Sequence, residues 1–141
     1  MTSQLNLPKK ILLAEDDPDD RGFFFQFLEH RPDVFLLPPV ENGEEVFEYL
    51  EKAPDDHFPD LIILDQNMPK CNGLQTLAIL KNNCQYENIP VFVYSTYTDE
   101  YLRQHSLELG ARSVLDKPFS LEGYEKMIDD ILELIKENCK L

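Results

Sequence analysis

No apolar run in this 141-residue sequence approaches the ~20 residues that a membrane-spanning helix needs. The stretch Met1 to Lys10 holds only Leu5 and Leu7 as large apolar residues, too few for the core of a secretory signal. The cytoplasm is therefore the expected compartment, with no membrane contact. Positive charge is scarce, with 13 Lys and Arg against 27 Asp and Glu and a formal net charge of −14. Nucleic-acid binders gather Lys and Arg on one face to meet phosphates, so DNA is not expected as a direct partner. Cysteines are few: Cys71, Cys84 and Cys139 are an odd set without metal-ligand spacing and are read as reduced thiols with no structural role. His30, His57 and His105 are scattered and read as surface residues. Linkers, low-complexity segments and internal repeats are missing as well. The length suits one hydrophobic core, and one domain is expected over residues 9–138, between short tails at 1–8 and 139–141, with no room for an attached output domain.

What the sequence does contain is a regular alternation. Five short apolar runs recur, at residues 10–14, 34–37, 61–64, 91–94 and 113–115. They are continuous rather than alternating, which predicts strands covered on both faces by helices, as in a parallel sheet. Amphipathic stretches at 19–29, 43–52, 74–82, 99–109 and 120–138 supply the helices. Asp17 followed by Pro18, Asp19 and Asp20 has a cap, a proline suited to the first helical position and acids where the helix dipole favours them. Gly110 stands where a helix ends before the fifth strand. Alternating elements with right-handed crossovers predict an α/β fold, a doubly wound five-stranded parallel sheet.

In such sheets ligands bind beyond the carboxyl ends of the strands. The first strand runs into Glu15 and Asp16, the third into Asp65, the fourth into Ser95 and Thr96, and the fifth into Asp116, Lys117 and Pro118. The second ends in Pro38 and Pro39 and offers nothing polar. A strand order of 2-1-3-4-5 makes the four polar ends contiguous. Two like charges ~4 Å apart cost on the order of 4 kcal/mol at an effective dielectric near 20, so a cation must sit among them. Lys117 is one candidate and a hard divalent ion the other, with Mg2+ a better fit than an all-protein calcium cage.

These residues together resemble the receiver domains of response regulators in two-component signalling. The resemblance rests on Ile11 to Asp17, on Leu61 to Pro69 with Gly73, on Ile89 to Ser95, and on Gly110 and Ala111 followed by Lys117, Pro118 and Phe119. It implies a flavodoxin-like (βα)5 fold and a single-domain response regulator of the chemotaxis type. By that resemblance Asp65 is phosphorylated by a sensor histidine kinase or a histidine phosphotransfer protein. Glu15, Asp16, Asp65 and the backbone carbonyl of Asn67 hold Mg2+, while Ser95 and Lys117 bind phosphoryl oxygens. A cis Lys117–Pro118 bond that aims the lysine is also implied. The chain would catalyse only its own phosphotransfer and dephosphorylation, and would signal to a downstream protein. The family's aromatic switch position falls on Val114, whose stiff branched side chain cannot make the same swing. Tyr97 is expected to take over part of the readout, with Val114 as passive packing.

Helical periodicity points to partner surfaces. On the first helix Phe23, Phe24, Phe27 and Leu28 read as the buried stripe, leaving Phe25 as an exposed anchor for the kinase. On the last helix Leu121, Tyr124, Ile128, Ile131, Leu132 and Ile135 read as core-facing, while Met127 and Leu134 fall to the side, where a homodimer through the fourth and fifth helices would use them. Three other functions fit these residues less well. A haloacid-dehalogenase-like phosphatase lacks its second acid and its cap. A flavin protein would need a phosphate-binding loop where Glu15, Asp16 and Asp17 repel phosphate. The nearest competitor is a phosphorylation-independent interaction module on the same fold.

Overall fold

The computed structural model describes residues 7–138. The expected tail residues 1–6 and 139–141, Cys139 included, lie outside the described residues. Five strands alternate with five helices: β1 (Lys9–Ala14), α1 (Pro18–Leu28), β2 (Val34–Leu36), α2 (Gly43–Lys52), β3 (Leu61–Asp65), α3 (Gly73–Lys81), β4 (Val91–Ser95), α4 (Glu100–Glu108), β5 (Ser113–Asp116) and α5 (Leu121–Asn138). One short 3-10 turn, Asp55–His57, precedes β3. All strand pairs are parallel, in the order β2-β1-β3-β4-β5, so the flavodoxin-like arrangement is as expected.

The continuous apolar runs are explained by two cores sharing one sheet. Leu12, Ile62, Leu64, Val91 and Val93 point to one face and pack with Val46 and Leu50 of α2, Leu77 and Leu80 of α3, and Leu102 of α4. Ile11, Leu13, Ile63, Phe92 and Tyr94 point to the other and pack with Phe24 and Leu28 of α1 and with Tyr124, Ile128, Ile131 and Ile135 of α5. Alternate residues of each strand thus feed opposite cores. Helix starts follow the local chemistry: the Asp17 carboxylate accepts from the Asp19 N–H at 2.9 Å, with Pro18 opening α1. Asn72 and Gln75 form a reciprocal capping box on α3. Gly110 takes a φ of 110°, a backbone region where a side chain would be strained, and lets α4 turn directly into β5.

Two stripes differ from the periodicity. On α1 it is Phe23 that stays 46% exposed, stacked on Phe27 with centroids 6.2 Å apart, while Phe25 is half-buried against the core. Both stand ~100° from Phe24 on opposite sides of the helix, so period alone could not choose between them. On α5 Met127 is buried at 5% exposure and Leu134 is half-buried, whereas Leu121, in the first turn beside the exposed Phe119, is 43% exposed. Met127 belongs to the core cluster on this face of the sheet, which removes it as a surface anchor, and Leu134 and Phe25 pack against that cluster and are only partly accessible.

Candidate functional site

Register decides what meets at the carboxyl edge of the sheet. Asp65 pairs with Tyr94, Ser95 with Asp116, and Ala14 with Leu64, which sets Glu15 level with Asp65. Residues paired across a parallel sheet share a face, so Glu15, Asp65 and Tyr94 form a row on the side covered by α1 and α5. Glu15 is fully buried and Asp65 is 2% exposed, while Asp16 is the most open of the three acids. One carboxylate oxygen from each lies within 4.8 Å of the others. Three oxygen donors with no sulfur or imidazole among them suit a hard divalent cation. Gly73 opens this corner: a Cβ there would stand 2.8 Å from the Asp65 carbonyl oxygen, so only glycine lets α3 begin so close to the end of β3.

Lys117 is the internal counter-ion. Its Nζ lies 2.9 Å from Asp20 Oδ2, 3.0 Å from Glu15 Oε1 and 3.2 Å from Asp65 Oδ2. No cis peptide bond occurs among the described residues, so Lys117–Pro118 is trans, contrary to expectation. The lysine still reaches the acids because its N–H donates to the Ser95 carbonyl at 2.9 Å, extending the β4–β5 ladder one step toward the pocket. Tyr94, fully buried, donates its O–H to Glu15 Oε1 at 2.7 Å, and Lys117 Nζ sits 5.1 Å from the centre of its ring. The Asp17 N–H donates to Glu15 Oε2 at 3.1 Å, and the Asn67 N–H to Asp65 Oδ1 at 3.3 Å. Arg21 Nη1 donates to the Glu15 carbonyl at 2.8 Å.

The electrostatics follow from burial and crowding. Burial, followed by the neighbouring Glu15, pushes the Asp65 carboxyl up to about 7, with Lys117 opposing the shift. Burial by itself lowers Lys117, yet hydrogen bonds to Asp20 and Glu15 outweigh it and hold the ammonium above its ordinary value. Burial raises the Tyr94 phenol far above its usual range, so it remains a donor.

The remaining expected residues are placed unevenly. Ser95 is buried, but its hydroxyl is engaged with the turn after β4, donating to the Tyr97 carbonyl at 3.0 Å and accepting from the Tyr97 N–H at 3.3 Å. Tyr97 is 75% exposed and Val114 is 5% exposed. Asn67 is exposed beside Asp65, and Thr96 is also exposed. Sequence reasoning missed two contributors. Asp20 reads only as a first-turn acid and Tyr94 only as a strand aromatic, since pairing either with the pocket requires the register and the packing of α1.

The sequence of residues 11–129 matches the response regulator receiver domain family. This chain belongs to that family. Among relatives, the receiver is 31% identical over 134 residues to response regulator Rcp1 of Synechocystis sp. (strain ATCC 27184 / PCC 6803 / Kazusa), covering 93% of this chain and 91% of Rcp1. It is 34% identical over 121 residues to the nitrate/nitrite response regulator protein NarL of Escherichia coli (strain K12), covering 86% of this chain. The receiver spans only about half of NarL's length, 53%. Its fold superposes on the phosphorylated cyanobacterial phytochrome response regulator RcpA with a TM-score of 0.78 at 30% identity, covering 95% of this chain and 98% of that one. The Mn2+-bound form of Rcp1 gives a TM-score of 0.73 at 32% identity, covering 88% and 91%. Among the described residues no helix of the receiver is long and apolar enough to cross a membrane.

Proposed function

We propose that this receiver takes a phosphoryl group onto Asp65 from a histidine of a sensor kinase or phosphotransfer protein and signals through phosphorylation-dependent binding to another protein, in the cytoplasm. The observation that carries this reading is the row of buried Glu15 and Asp65 with Asp16 beside it and Lys117 3.2 Å from Asp65. Mg2+ would be held by Glu15, Asp16, Asp65 and the backbone carbonyl of Asn67, a reading supported by the oxygen-only donor set and by the Mn2+-bound Rcp1 relative. Bound there, the ion supplies neutralising charge, because phosphoryl transfer depends chiefly on positioning and electrostatics.

The chain's own residues do the rest. An ionised Asp65 carboxylate oxygen forms the new O–P bond as the N–P bond of the phosphohistidine breaks; the electron pair of that bond stays on the ring nitrogen, and the ring, protonated on its other nitrogen, leaves as neutral imidazole. Lys117, already beside Asp65, keeps its charge for the oxygens of the arriving group. Ser95 donates to another of those oxygens only after leaving the Tyr97 carbonyl, so occupancy of Asp65 reaches the exposed loop after β4. The sole turnover is of the receiver's own phosphoryl group.

Incubation with a small phosphodonor and Mg2+, followed by intact mass, tests this. Asp65→Asn should abolish incorporation, and Asp16→Asn should lose most of it. Full labelling of the Asp65→Asn protein would sink the assignment. A wild type that stays unmodified while a control receiver reacts would favour the interaction module.

A further inference from the structure

Tyr94 is not needed as an aromatic alcohol for packing. It occupies a wholly buried β4 position between β3 and β5, in a cluster otherwise built of Ile, Leu, Val, Met and Phe with Tyr124. Its hydroxyl nevertheless reaches the buried Glu15 Oε1 at 2.7 Å, a full-strength O–H···O hydrogen-bond length. The face of the same ring lies beneath Lys117 at 5.1 Å. One side chain therefore touches both an acid of the pocket and its counter-ion.

An ionised carboxylate offers about four acceptor directions. On Glu15, Oε1 takes Tyr94 and Lys117, and Oε2 takes the Asp17 N–H. Lys117 is the donor that phosphoryl binding would draw away. Tyr94 and the Asp17 N–H then remain, one on each oxygen, fixing the plane of the carboxylate.

We propose that Tyr94 is a positioning residue for the metal pocket, holding Glu15 so that its remaining lone pairs face Asp16 and Asp65. The inference rests on the metal reading above and adds a residue to it. Groups that hydrogen-bond a metal ligand typically contribute about 10- to 100-fold to metal affinity, and the lower end suits a carboxylate already pinned by a backbone N–H.

The test is calorimetric titration of the full chain with Mn2+ in the wild type, Tyr94→Phe, Glu15→Gln and the double variant. Phenylalanine keeps the ring under Lys117 and removes only the hydroxyl. Tyr94→Phe should weaken Mn2+ binding by about 10-fold, whereas in the Glu15→Gln background the same change should have an effect of about 2-fold or less, because the two act as a unit. An unchanged Kd in Tyr94→Phe, or an equal loss in both backgrounds, would overturn the proposal while leaving the metal site standing. A wild type that binds no Mn2+ would overturn both. Independently of any variant's folding, the Tyr94 hydroxyl proton of the wild type should stay protected from exchange in NMR when Mg2+ is added. Rapid exchange on addition would mean that the ion had displaced the phenol, and the proposal would fall.

Discussion

Ser95 carries two hydrogen bonds that its proposed function must break. Its hydroxyl donates to the Tyr97 carbonyl and accepts from the Tyr97 N–H, so movement of the serine toward Asp65 frees the backbone that sets the direction of an aromatic ring 75% exposed. Val114 has no comparable freedom, being buried at 5% exposure on a stiff side chain. Tyr97→Ala should therefore shorten the phosphoryl lifetime and weaken partner binding. Val114→Ala should alter neither and instead lower stability by about 1–3 kcal/mol as a core truncation. Decay of the phosphorylated protein and urea unfolding of both variants check this. Switching lost only in the valine variant would reverse the two roles.

At the level of elements, α1 and α5 are joined by charge as well as by packing. Arg31, just after α1, donates to Asp33 at 2.9 and 2.7 Å, to Asp129 of α5 at 2.8 Å and to the Glu125 carbonyl at 3.3 Å. Asp129 is 65% exposed and Asp33 46%, so screening keeps the worth of the ion pairs near about 1 kcal/mol. The hydrogen bond from Arg31 holds the Asp33 carboxyl below its ordinary value of 3.8, against the opposing effect of burial. A depressed carboxyl stabilises the fold above its unfolded value and loses that contribution as pH falls through the lower folded one. Arg31→Met should thus be less stable than wild type at pH 7, by about 1 kcal/mol in urea unfolding, with the difference narrowing below pH ~4. A gap that persists undiminished in acid would assign the effect to the buried stem of the arginine instead.

For the whole molecule, the two cores share the central strands, so neither can melt alone: Leu12 and Leu13, or Ile62 and Ile63, belong to opposite clusters on adjacent positions. Unfolding followed by tyrosine absorbance and by circular dichroism should coincide in one transition. With residues 9–138 proposed as the complete folding unit, a truncation to that range should keep the urea midpoint of the full chain. Separate transitions, or a lowered midpoint, would place essential contacts outside those boundaries. The net charge of −14 gives long-range repulsion toward other acidic surfaces and attraction toward basic ones, so salt should slow encounter with a basic partner.

Element types, their bounds to within one residue and the strand ends bearing Glu15, Asp16, Asp65, Ser95 and Lys117 were legible in the chain, because capping, strand length and continuous apolar runs are local signals. The motifs from Asp65 to Gly73 and around Lys117 were legible for the same reason. Side-chain partners were not. That Phe25 is covered while Phe23 is not, and that Met127 joins the core, depend on how α1 and α5 dock on the sheet. The hold of Asp20 on Lys117 and the bond from Tyr94 to Glu15 depend on strand register and helix docking. A strand's pattern states which residues share a face, but only the assembled sheet sets neighbouring strands level, and it is that alignment which brings a phenol from β4 onto an acid that follows β1.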